Sequence, residues 1–208
     1  METLLTSPTG KKEDTVNTQL VRLSGMSLLT GGLIATVAWI FHAIMDPGRA
    51  GYNEPWWLPL NIALSCGAIL MALGLPGFHA RQASRTGGFG LIGLVLLFSG
   101  MLLAYVGVQT LEAFSRPEIP ATIGILAGIA APAFFFGIII TSVVTWRAGV
   151  YPRVTAAALG LAALFGLLTR LVEMPAWLGM NIIPAFFTLV MAWLGIVLVR
   201  EARRIGNS

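Results

Sequence analysis

Residues 87–112, GGFGLIGLVLLFSGMLLAYVGVQTLE, decide the fold. The run carries no charge until Glu112 closes it. A helix rises about 1.5 Å per residue, so this stretch is long enough to cross a hydrocarbon layer about 30 Å thick. Lipid offers no partner to a bare backbone, which leaves helices and closed barrels as spanning structures. The strict alternation of a barrel strand is absent. Within the run, GFGLIG from Gly88 to Gly93 fits the dinucleotide-binding pattern letter for letter. That motif works only between a buried strand and a helix in a βαβ unit, whereas a basic loop holding Arg81 and Arg85 precedes it here. The glycines read instead as a packing face, with Gly93, Gly100 and Gly107 recurring every seven positions.

Outward from this run, the same criteria mark apolar stretches at 22–45, 56–79, 119–146, 154–173 and 176–200, giving six expected spans in a single domain over 21–204. Hydrophobic residues make up 56% of the 208 and charged residues 11%, against roughly 25% charged in soluble domains. The expected fold is therefore all-α, a six-helix transmembrane bundle. Residues 1–20 are polar and without period and are expected to form a flexible tail, with 205–208 a short C-terminal one. No short apolar core with a cleavage site follows the start, so the first span is expected to act as the insertion signal. The single Cys66 excludes an internal disulfide and a thiolate zinc site, and His42 and His79 are too few for a three-histidine site. No cofactor is expected. The formal net charge of +4 needs no nucleic-acid partner, because membrane topology accounts for its distribution.

With both termini cytoplasmic, the inner segments hold Lys11, Lys12, Arg22, Arg81, Arg85, Arg147, Arg153, Arg200, Arg203 and Arg204, which is 10 of the 13 basic residues. The positive-inside rule then sets the orientation. A phrase repeats: PWWLPLNI from Pro55 and PAWLGMNI from Pro175. Together with the starts RLSGMSLLTGG, RTGGFGLIG and RVTAAALG, it suggests three copies of one helical hairpin. Inward-running helices converge on Pro, interfacial Trp and terminal Arg anyway, but this does not explain the matched Asn61 and Asn181. Gly124 and Gly128 form a GxxxG, and Ala162 with Gly166 a looser version, all expected to face neighbouring helices. Pro132 and Pro184 should bend their helices, either shaping a cavity or simply fitting the bundle.

Polar groups inside spans are costly and usually face an interior. His42 and Asp46 stack on one face of the first span, Tyr105, Gln109 and Glu112 on one face of the third, and Arg170 can pair with Glu173. With Asn61 and Asn181 they all fall in the outer half, which points to an outward-facing polar pocket rimmed by Trp57 and Trp177. The plain alternatives are charged residues at the water line, a snorkelling Arg170, and asparagines that only tie helices together. A metal site from His42, Asp46 and Glu112 has suitable donor types but no fixed spacing. No nucleophile with a neighbouring base and no HExxH is present.

The segments WRAGVYPRVTAAALGLAALFGLL (146–168) and MAWLGIVLVREARR (191–204) resemble small uncharacterised bacterial multi-spanning proteins. The resemblance implies the fold and a bacterial inner membrane, and transfers no functional residue. The leading expectation is a protein that binds or carries a small molecule, lipid or ion in the outer pocket within the lipid bilayer. The alternatives are a structural subunit docking partner membrane helices through its glycine faces, and a membrane enzyme using the histidine and carboxylates.

Overall fold

The chain reverses at Gly87. A computed structural model describes residues 9–45, 54–115, 121–175 and 177–206, and among them all regular structure is helical. α1 runs Thr9–Met45 and α2 Trp57–Met101. The first π-helical segment is Leu102–Val108, continued by α3, Gln109–Ser115. α4 is Ala121–Ala148 and α5 Arg153–Leu171. A second π-helical segment, Trp177–Ile182, leads into α6, Ile183–Gly206. Residues 9–20, polar in sequence, continue α1 as helix.

Inside α2, Gly87 takes φ 54 and ψ −147, a conformation open to a residue without Cβ. The arms on either side fold together: a Cβ built on Gly90 would stand 3.1 Å from Cε1 of His79. The sequence places the loop from residue 80 onward, but helix continues to the glycine. Arg81, Gln82 and Arg85 are good helix formers, and Gly87 is the first position at which the backbone turns cheaply. Gly149, with φ 61, turns the chain between α4 and α5 in the same way.

α1 lies between the first arm of α2 and α6, and its two adjacent glycines face different neighbours. A Cβ on Gly31 would stand 2.5 Å from the Gly67 carbonyl oxygen, and one on Gly32 2.6 Å from that of Thr188. The second arm of α2 meets α4 equally closely. A Cβ on Gly100 would run into the Phe134 backbone, and one on Gly137 into the Leu97 backbone. Of the seven-spaced glycines, Gly93 and Gly100 thus make the α2–α4 contact. Gly107 meets almost nothing, because the π-helical turns after Met101 rotate it off that face. The expectation that Gly124 and Gly128 pack within the bundle is also corrected: both face open space.

At one end of the bundle the basic residues converge. Arg81 lies 3.9 Å from Glu201, and Nη1 of Arg85 donates to the Ala148 carbonyl at 3.1 Å. The Arg153 guanidinium sits 5.8 Å over the Trp146 ring. Tyr151 closes this end, its hydroxyl donating to the Phe78 carbonyl at 2.9 Å and its ring stacked on Phe78 at 4.9 Å. Burial pushes the Tyr151 phenol up from its ordinary 10.0; Arg81 draws it down and Glu201 adds to the rise. The folded protein then keeps a proton that the unfolded chain loses. Its stabilisation is intact below about pH 10 and is lost as pH rises beyond that value. Thermal unfolding of wild type and Tyr151→Phe from about pH 8 to about pH 11 should show a steeper alkaline decline in wild type. The variant should also be less stable at neutral pH by about 1 kcal/mol, for one buried hydrogen bond.

The flanks are apolar, with Phe89, Ile125, Phe136 and Leu171 all exposed. Among the described residues four helical runs are long and apolar enough to cross a membrane: Thr18–Met45, Trp57–Phe114 with its reversal at Gly87, Ala121–Ala148 and Ile183–Arg204. Arg153–Thr169 is apolar but shorter. This is the architecture of a multi-pass membrane protein, since such flanks would aggregate in water.

Candidate functional site

Two departures from α-helical geometry lie at the end of the bundle opposite the arginine-rich one. Across Leu102–Val108 the π-helical turns loosen the backbone ladder, and side chains from a neighbour bind there. Oγ of Ser65 donates to the Tyr105 carbonyl at 3.2 Å and lies 3.2 Å from the Thr110 hydroxyl. Across Trp177–Ile182 the cause is legible in the sequence. Pro184 has no N–H for the carbonyl a turn earlier, and its ring pushes that turn outward. π-Helical turns of this kind are frequent at functional sites.

Between these segments opens a partly enclosed cavity of about 430 Å³, within the 300–1,000 Å³ typical of small-molecule pockets. Tyr105 and Gln109 line it from the π-helical segment and α3, and Trp39 from α1. α4 supplies Ala131, Phe134 and Phe135; α5 supplies Ala162, Gly166 and Thr169; α6 supplies Pro184 and Phe187. Phe134 is the hub of the aromatic wall, 4.8 Å from the Phe187 ring, 5.6 Å from Phe135 and 5.7 Å from Tyr105, each edge to face. Both prolines singled out in the sequence border this space, Pro184 directly and Pro132 through its neighbour Ala131.

Trp39 separates the cavity from a closed aromatic layer. Its ring stands 6.2 Å from Tyr105 on one side and 5.9 Å from His42 on the other. His42 is wholly buried, edge-on to Trp57 at 5.2 Å and to Trp56 at 6.1 Å. Asn61 is buried beside this layer, its Nδ2 donating to the Trp57 carbonyl at 2.9 Å. Asn181 is buried as well, on the second π-helical segment. Below it the Thr36 and Thr188 hydroxyls meet at 2.8 Å and join α1 to α6.

The candidates from sequence therefore divide. Tyr105 and Gln109 line the cavity. His42, Trp57, Asn61 and Asn181 are buried at the same end but do not line it, so Trp57 is a core side chain rather than a rim. Glu112 is half-buried outside the lining, and Glu173 is exposed. Asp46 and the side chains of Arg170 and Trp177 lie outside the described residues. Among the described residues no three of His, Cys, Asp or Glu gather as a metal site would require.

Sequence reasoning missed the aromatic wall, although a signal was present. PAFF occurs twice, at 132–135 and 184–187, once in each of the facing helices. Each copy couples a proline within a helix to a phenylalanine pair. Compared with known proteins, the chain matches no family model, no curated protein and no solved structure.

Proposed function

We propose that this multi-pass membrane protein binds a compact, mostly apolar molecule, carrying a ring and one or two hydrogen-bonding groups, in the cavity between the π-helical segments. The observation that carries the reading is the composition of that cavity: an aromatic wall of Phe134, Phe135 and Phe187 facing a polar edge of Tyr105, Gln109 and Thr169. Small-molecule sites have this build, with apolar walls supplying affinity and a few polar groups fixing orientation. The buried His42 stands against Trp39 behind the cavity, with Trp57 and Asn61 packed behind it.

In this reading the chain crosses the membrane six times as three hairpins, with the arginine-rich end and both termini cytoplasmic and the cavity in the outer half. Glu112 and Glu173 then lie around its outer end, where they would attract cationic molecules. Thermal unfolding in mild detergent, screened against ring-bearing amphiphiles, tests the reading. At least one should raise the midpoint in wild type and raise it clearly less in Gln109→Leu. A screen that stabilises neither protein, or both equally, counts against it.

One observation favours a second reading. Gly124 and Gly128 present a GxxxG to open space on α4, the pattern on which membrane helices approach closely. A subunit docking a partner helix there would purify from mild detergent with a fixed companion.

A further inference from the structure

We propose that a single water molecule is held near the arginine-rich end of the bundle, between Gln82 of α2 and Thr141 of α4, joining the α2 hairpin to α4. The site is separate from the aromatic cavity, and the inference does not depend on that cavity's role.

A small, partly enclosed space of about 10 Å³ lies there, bordered by His79, Gln82, Gly90 and Thr141 among leucines and Phe78. One water needs about 10–15 Å³ and two to four polar partners. Gln82 is 2% exposed and Thr141 5% exposed. Oε1 of Gln82, Oγ1 of Thr141 and Nδ1 of His79 are buried without a hydrogen-bond partner among the described residues. Polar atoms so buried are almost always satisfied, and a water is the usual agent when no protein group reaches them.

The glycines create the room. A Cβ on Gly93 would stand 3.0 Å from the Thr141 hydroxyl, and one on Gly90 3.1 Å from Cε1 of His79. Water also fits the chemistry of the wall. It both donates and accepts, so it serves either end of the Gln82 amide, the Thr141 hydroxyl and either ring tautomer of His79. A metal cation such as calcium would want about six oxygens, and the wall supplies only the Gln82 and Thr141 side-chain oxygens. Thr145, one helical turn nearer the arginines, is buried with its hydroxyl equally unmatched among the described residues. It provides a polar step along which water enters from that end.

Two measurements decide it. A high-resolution structure of the whole protein in detergent or nanodisc should show a density peak about 2.7–3.2 Å from both the Gln82 amide and the Thr141 hydroxyl. Direct contact between those side chains, or a space without density, would overturn the proposal. In a double-mutant cycle of Gln82→Leu and Thr141→Val, a shared water makes the effects non-additive, by about fivefold or more in the unfolding equilibrium constant. Strictly additive effects would also overturn it. Should either variant fail to fold, the density alone decides between presence and absence of the water.

Discussion

Gly137→Leu should yield almost no folded protein, whereas Gly124→Leu, on the same helix, should fold as wild type does. At Gly137 even a Cβ would collide with the Leu97 backbone, and the facing Gly100 leaves no slack because it is pressed against Phe134 in turn. Backbone cannot rotate aside as a side chain can. Alanine alone should then cost about 1–3 kcal/mol by overpacking, and a branched side chain would separate α4 from the second arm of α2. Around Gly124 a Cβ meets nothing within 4 Å, so leucine there only adds apolar surface to a lipid-facing flank. Size-exclusion profiles and thermal unfolding in mild detergent distinguish these outcomes. If Gly137→Leu folds normally, the close α2–α4 contact is wrong.

The second large effect concerns ligand binding. Ala131 lines the cavity from α4, next to Pro132 and the aromatic wall. Phenylalanine at this position would project into the cavity and occupy volume that the ligand needs. Filling a preformed apolar site removes the ligand's burial altogether, so Ala131→Phe should weaken binding by about a hundredfold or more, roughly 3 kcal/mol. The fold should persist, since the added ring fills existing space instead of displacing packed atoms. Gln109→Leu removes one hydrogen bond and leaves the walls intact, so its effect should be smaller, about tenfold. Titrating the best stabilising ligand against each variant gives the order directly. Equal losses in both variants would mean that the polar edge does not orient the ligand.

Helical class and membrane character are legible in the sequence because they rest on long-range composition. A charge-free run such as 90–107 admits few other readings. Span limits are less exact wherever helix continues past the apolar run: Arg81, Gln82 and Arg85 are polar, yet they extend α2 to the turn at Gly87. The polar stretch ahead of Arg22 behaves in the same way and continues α1 from Thr9.

Glycine roles are half legible. Seven-residue spacing marks Gly93 and Gly100 correctly, but no local rule announces the π-helical turns that move Gly107 off that face. Gly124 and Gly128 show that a packing motif does not say where its partner is. The site is legible in part for a similar reason. Cost in lipid identifies Tyr105, Gln109, His42 and the two asparagines as inward groups, and all of them are buried. Polarity cannot report that Trp39 divides them into a cavity and a closed layer, since that depends on how aromatic rings from different helices meet. The PAFF pairs carry the missing information, but phenylalanine inside an apolar span is ordinary until two such helices face each other. Gln82 escapes a polarity argument because it falls in a stretch that reads as a loop.

Occupancy of the aromatic cavity is the claim on which the functional account turns, and native mass spectrometry measures it most directly. Wild type and Ala131→Phe, each released from detergent with the stabilising amphiphile present, should differ by one bound molecule per chain. Wild type should carry it and the variant should not. Equal occupancy in the two proteins would place the ligand elsewhere on the bundle and contradict the account.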